Sequence, residues 1–260
     1  MIAFRKNRKS STHPGLLLLV LSVTIVALVV VIAPSALTLM AQSCSPGGGG
    51  STNCIGSEGG GGDGGGFSDG TGIAPTCSPI IIDISGQGFH LTSAQAGVKF
   101  DITGSGKPVQ IAWPVAGAHN AFLVLDRDHD GGVTDGRELF GNFTPQPPSP
   151  HPNGFLALAE FDKPSKGGNG DGIIDHKDAI FSSLRLWVDV NHDGVAQFDE
   201  LFKLPDLGVY SISLKYTESR LRDQYGNQFR YRARINVTDQ EEDMSKAGPV
   251  AYDVFLTTAK

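Results

Sequence analysis

Residues 178–200 read D-A-I-F-S-S-L-R-L-W-V-D-V-N-H-D-G-V-A-Q-F-D-E, and the second half of this run sets oxygen ligands at the spacing a bound Ca²⁺ requires. Asp189 to Glu200 matches D-x-[DN]-x-[DN]-G-x5-E without a miss. Asp189, Asn191 and Asp193 stand at positions 1, 3 and 5, and Gly194 at position 6 supplies the positive φ that the turn needs. Val195 offers its backbone carbonyl, Gln197 acts at position 9 directly or through water, and Glu200 closes the shell with both carboxylate oxygens. These make about seven oxygens, a number suited to Ca²⁺ rather than Mg²⁺. Ordinary turns use the same residue types. Without a cation, however, Asp189, Asp193 and Glu200 would crowd three negative charges into one loop.

Two further loops share this register. Around Asp171-Gly172 the run N-G-D-G-I-I-D-H-K-D supplies Asn169, Asp171, the Ile173 carbonyl, Asp175 and Asp178. Its first ligand should stand at Gly167, which has no side chain, so Asp162 is expected to fill that place if residues 163–167 loop out. The other loop, D-R-D-H-D-G-G-V-T-D-G-R-E, places Asp126, Asp128 and Asp130 at positions 1, 3 and 5 and the Gly132 carbonyl at 7. Position 12 is Arg137, so the loop must expand by one residue to close on Glu138, with Thr134 or Asp135 near position 9. Two weaker echoes, at Asp83 and Asp101, keep at most one carboxylate each and read as plain turns. Two to three Ca²⁺ ions are expected.

About ten residues separate the loops at 162–178 and 189–200, and Asp178 to Val188 reads as one helix serving both, with Ile180, Phe181, Leu184 and Leu186-Trp187 on its buried side. Phe155 to Phe161 reads as another helical stretch. On either side the pattern is β: 79–85, 88–92 and 98–102 precede this middle, and 209–216, 228–237 and 251–257 follow it. Asp223-Gln-Tyr-Gly-Asn227 is a hairpin turn. The expected fold is therefore α+β, with short strands flanking a helical, metal-loaded middle.

The first third of the chain is unlike the rest. Residues 1–15 form a tail with four basic residues and no acid, leading into the apolar stretch 16–33. Eighteen residues rising ~1.5 Å each span about 27 Å, near the thickness of a bilayer's hydrocarbon core. Residues 16–41 are therefore expected to be a transmembrane anchor or signal, with the N-terminus cytoplasmic and the remainder outside. Residues 42–77 read as a Gly-rich flexible spacer and 78–260 as the folded domain. All three cysteines, Cys44, Cys54 and Cys77, precede that domain; an oxidising location permits a Cys54–Cys77 pair, and Cys44 is a candidate for lipidation. The expected location is the cell envelope, anchored and outward-facing, or alternatively secreted.

Beyond residue 41 the chain carries 17 basic and 27 acidic residues, a net charge of about −10. Nucleic acid is a poor partner for such a surface, which offers no basic stripe to neutralise phosphates. Histidines within the loops, His129, His176 and His192, stand at non-ligand positions. Neither a nucleophile elbow, nor H-E-x-x-H, nor zinc-type Cys/His spacing occurs, so the chain does not read as an enzyme.

The order of L-V-L-D-R-D-H-D-G at 123–131, G-R-E-L-F-G at 136–141, G-F-L-A-L-A-E-F-D at 154–162 and L-R-L-W at 184–187 resembles the calcium-binding domains that accompany bacterial repeats-in-toxin proteins. The likeness covers about residues 79–216. It implies extracytoplasmic Ca²⁺ binding on EF-hand-like or dockerin-like loops. Some members of that group carry a Ca²⁺-triggered self-cleavage module that cuts at Asp-Pro, and this chain contains no Asp-Pro pair. The expected function is a membrane-tethered, extracytoplasmic Ca²⁺-binding module with a metal-stabilised fold, serving a structural or interaction role with a possible protein partner at the cell surface. The alternatives are a Ca²⁺-dependent hydrolase and a dockerin-like assembly module.

Overall fold

A computed structural model describes residues 72–237 and 249–259. Twelve strands are found there: β1 (Gly72–Cys77), β2 (Ile80–Asp83), β3 (Val98–Phe100), β4 (Val109–Ile111), β5 (Asn120–Val124), β6 (Ile173–Ile174), β7 (Arg185–Trp187), β8 (Leu201–Lys203), β9 (Ile212–Ser213), β10 (Thr217–Arg222), β11 (Gln228–Arg234) and β12 (Val250–Ala259). Ten of them form one sheet, curled into a half-barrel, whose main path runs β10-β11-β12-β2-β5-β7-β8. All its pairings are antiparallel. The ten-residue β12, rich in apolar and aromatic residues, is the spine: it pairs with β11, β2, β1 and β4 along its length.

Both faces of the sheet are buried. Ile80 and Ile82 on β2, Ala121 and Leu123 on β5, Leu186 on β7 and Phe255 on β12 enter one core, which α1 (Gly154–Ala159) covers with Phe155, Ala157 and Leu158. Ile81, Phe122, Val124, Trp187, Val254 and Leu256 enter the other, with Phe100, Ile111 and Trp113 from the β3–β4 region. Each fully buried large side chain contributes roughly 1.5–3 kcal/mol. α1 starts where Asn153 caps it, its Oδ1 accepting from the N–H groups of Phe155 and Leu156 at 3.0 Å. A side chain at Gly154 would stand 2.5 Å from the Phe140 carbonyl, so glycine is required for α1 to dock on the sheet.

The expected helical middle is not formed, and the α+β assignment is corrected to a mainly β fold. Where 178–188 read as one helix there is a short 3₁₀ turn, Ala179–Ser182, followed by β7. The cause is burial on both faces. Leu186 points into one core and Trp187 into the other, so L-R-L-W-V lacks the alternation of a half-buried strand and resembles a continuous apolar run. No helix is shared between the loops at 162–178 and 189–200. The EF-hand description fails for the same reason, because the loop at 189–200 lies between β7 and β8 and the loop at 126–138 follows β5. The late hairpin also shifts: β11 pairs through the expected turn with β10, while of 209–216 only Ile212–Ser213 is strand.

The expectations of a membrane partner and a membrane-anchored location are corrected too. Among the described residues no helix is long and apolar enough to cross a membrane. The anchor or signal segment 16–41 on which both rested, the basic tail, Cys44 and Cys54 lie outside the described residues. Cys77 is buried in the second core. β1 begins inside the stretch read as spacer and pairs with β12.

Candidate metal centre

The loop at 126–138 leaves β5 and returns to the sheet through the Val124–Leu139 bridge. Its turn is made by His129 and Gly131, at φ 64° and 88°. That reversal brings Asp126, Asp128, Asp130 and Glu138 together, with one carboxylate oxygen from each lying within 4.8 Å of the others. Loop amides hold these groups in place: the Asp126 carboxylate accepts from the N–H groups of His129 (2.7 Å) and Gly131 (3.1 Å), and Asp130 accepts from Gly132 (2.9 Å). Glu138, 3 % exposed, accepts from Arg127 N at 3.2 Å and from both the N–H and the hydroxyl of Thr134. Asp135, the other candidate for position 9, is bound instead to the Arg137 guanidinium. Burial pushes the Asp135 carboxyl up, but the hydrogen bonds and charge of Arg137 outweigh it and hold the group below the usual carboxylate value. Gly132 keeps its place at the seventh position, beside Asp130.

In the loop at 162–178 the five intervening residues turn outward as a 3₁₀ turn, Pro164–Lys166. Asp162 lies across the loop, its two oxygens accepting from Gly170 N (2.9 Å) and Gly172 N (3.0 Å). Asp178 accepts from the N–H groups of Asn169 and Asp175, while Asp171 accepts from Ile173 N. Lys177 Nζ stands 3.3 Å from Asp171 and 3.5 Å from Asp175, so a cation of the chain's own already faces these two carboxylates. Burial pushes the Asp178 carboxyl up, reinforced by the charges of Asp162 and Asp171.

The loop at 189–200 follows the motif best, yet its carboxylates do not form a group as tight as that at 126–138. Asp193 Oδ2 instead faces the side-chain amides of Asn191 and Gln197, each at 2.9 Å. Asp189 and Glu200 are buried. Asp189 accepts from Gly194 N (2.8 Å) and from the indole N–H of Trp113 (2.7 Å); Glu200 accepts from Val190 N (2.9 Å) and from the indole N–H of Trp187 (3.3 Å). Val195 N donates to Asp193. Both ring nitrogens of His192 face backbone carbonyls, of Pro114 at 2.6 Å and Ala96 at 2.9 Å. Sequence reasoning missed these partners, since Trp113 lies 76 positions from Asp189 and no local pattern joins them.

Asp83 and Asp101 each hold a tight turn closed. Asp83 collects the N–H groups of Ser85, Gly86 and Gly88 and the Ser85 hydroxyl; Asp101 collects Ser105 N, Gly106 N and the Thr103 hydroxyl. Ser85 and Gln87 in one turn, and Thr103 and Ser105 in the other, occupy the places where carboxylates or amides stand in the acidic loops, so each lone charge is satisfied by donors. Another buried carboxylate was not singled out by any motif. Asp253, at the centre of β12, is fully buried; its Oδ2 accepts from Gly154 N at 2.5 Å and its Oδ1 has no hydrogen-bond partner among the described residues. Burial pushes this carboxyl up to about 6, against the opposing pull of the Ser78 hydroxyl, Gly154 N–H and the Arg230 charge.

Comparison with known proteins agrees with the extent of the described domain. The chain is 34 % identical over 164 residues to the iron-regulated protein FrpA of Neisseria meningitidis serogroup C, an alignment that takes in 62 % of this chain and 14 % of FrpA. The chain thus spans about one seventh of that relative's length. The family model described as the SPM domain matches residues 80–250, from β2 to the first residue of β12. On that match, which takes in well over half of its length, the chain belongs to the SPM domain family.

Proposed function

We propose that the domain is a calcium-binding module whose ions brace a β-sheet by holding its long loops closed, in a structural or interaction role rather than a catalytic one. One observation carries this reading: Asp126, Asp128, Asp130 and Glu138 place four carboxylates within 4.8 Å on a loop whose two arginines are engaged elsewhere, Arg127 against the Phe140 and Phe161 rings and Arg137 on Asp135. Such a cluster is repulsive unless a cation joins it. The donor set in all three loops is oxygen only, from carboxylates, side-chain amides and carbonyls, which suits Ca²⁺ and does not suit softer metals that prefer thiolate or imidazole. The residues that would hold ions are Asp126, Asp128, Asp130, the Gly132 carbonyl, Thr134 and Glu138 in one loop, Asp162, Asn169, Asp171, the Ile173 carbonyl, Asp175 and Asp178 in the second, and Asp189, Asn191, Asp193, the Val195 carbonyl, Gln197 and Glu200 in the third.

Their energetic role follows from connectivity. Each loop links elements that pack into the two cores: 126–138 leads from β5 to Leu139 and Phe140, 162–178 contains β6 and runs from α1 to the 3₁₀ turn before β7, and 189–200 joins β7 to β8. Metal binding to the folded form alone stabilises by RT ln(1 + [Ca²⁺]/Kd), about 2.7 kcal/mol per site at a hundredfold excess over Kd. Calorimetric titration of the full chain with Ca²⁺ tests the reading. Two to three ions and a higher melting temperature are expected. No heat of binding, with melting unchanged by chelator, refutes it.

A further inference from the structure

The three loops are attached to the fold in different ways. At 126–138 and 162–178 every hydrogen-bond donor found on a ligand carboxylate comes from within the same loop. At 189–200 two donors come from the core itself. The only two tryptophans of the chain, both wholly buried, aim their indole N–H groups at the first and last carboxylates of this loop: Trp113 at Asp189 and Trp187 at Glu200. The rings are packed edge to face at 5.5 Å and touch Phe100 and Phe122, so neither indole can turn away without opening the second core. His192 adds two contacts to the chain around the β3–β4 hairpin, and Gly194 lies so close to Val98 that an added Cβ would stand 2.8 Å from it.

On the calcium-binding reading above, we infer that Trp113 and Trp187 are positioning residues that make 189–200 the first and tightest of the loops to fill, its ion integral to the core, whereas 126–138 exchanges its ion with solvent. A carboxylate held from outside by a rigid donor need not be ordered when the metal arrives, and outer partners of this kind typically change metal affinity by about 10- to 100-fold. Asp128 and Asp130 are exposed, and their orientation rests on the amides of a surface loop.

Terbium, a luminescent ion that replaces Ca²⁺ on oxygen ligands, tests this in the full chain, because excitation of a nearby indole sensitises only an ion within a short distance of it. Sensitised emission is expected to saturate with the first equivalent, while calorimetry shows further ions binding later. Trp113→Phe keeps an aromatic ring and removes the donor; it should weaken the sensitised phase about tenfold or more, with Trp187 still sensitising and the later phase unmoved. Asp128→Asn, which leaves both indoles untouched, should abolish a later phase and spare the first, so the ordering is tested even where Trp113→Phe does not fold. Sensitised emission that rises only in the last phase overturns the inference, as does a folded Trp113→Phe whose first phase shifts less than twofold. Absence of any ion binding to the wild-type chain instead removes the calcium reading on which the inference rests.

Discussion

Replacing Asp253 by asparagine tests whether the centre of the sheet holds a neutral acid. The carboxyl is fully buried on β12 between β11 and β2; Gly154 N–H donates to its Oδ2, and its Oδ1 has no hydrogen-bond partner among the described residues. Its folded value of about 6 compares with about 3.9 for an aspartate in an unfolded chain. Because the folded value is raised, the favourable seat of the neutral acid is fully present below about pH 4 and is lost as pH rises through about 6. The difference corresponds to about 3 kcal/mol lost by pH 8, or roughly 6–12 °C in melting temperature for a domain of this size. The Asp253→Asn side chain keeps the shape and carries no charge, so the variant's stability relative to wild type should climb by that amount between pH 4 and pH 8. Denaturant melts of both chains at matched pH and Ca²⁺ measure the difference, in which the titration of every other carboxylate, those of the acidic loops included, cancels. A constant offset cancels as well, since the readout is the slope. Parallel pH profiles for the two chains would refute the argument.

Further outcomes follow from single contacts. Glu138→Gln should remove the ion of the 126–138 loop, read as one fewer equivalent in calorimetry, while the fold persists because the amide oxygen can replace Oε2 as the acceptor of Thr134 N–H, at the cost of the longer Arg127 N–H bond to Oε1. Gly141→Ala puts a Cβ 1.5 Å from the Ser78 carbonyl, where Pro79 bridges to Gly141; a loss of about 3 kcal/mol or more is expected, at the upper end of overpacking costs, and a near-normal melt would contradict this packing. Phe198, 91 % exposed on the loop at 189–200, should accept Ser with a stability change within about 0.5 kcal/mol.

The acidic loops were legible in the sequence because their information is local: each is a spacing of Asp, Asn and Gly over some twelve to seventeen residues, of the kind set by the ligand geometry of one ion. The apolar run Ile80-Ile-Ile82, read as a strand, is buried at the heart of the sheet. Secondary structure between the loops was not legible. Leu184 to Val188 packs against two cores at once, and a strand buried on both faces loses the alternation by which strands are recognised. Tertiary structure alone decided which carboxylates meet, that the best-matching loop is hydrogen-bonded to two indoles, one 76 residues distant, and that Asp253 is buried at the centre of the sheet. Chain-local chemistry can specify a ligand shell, but partners that reach it across a sheet are set by strand order, which leaves no trace in spacing.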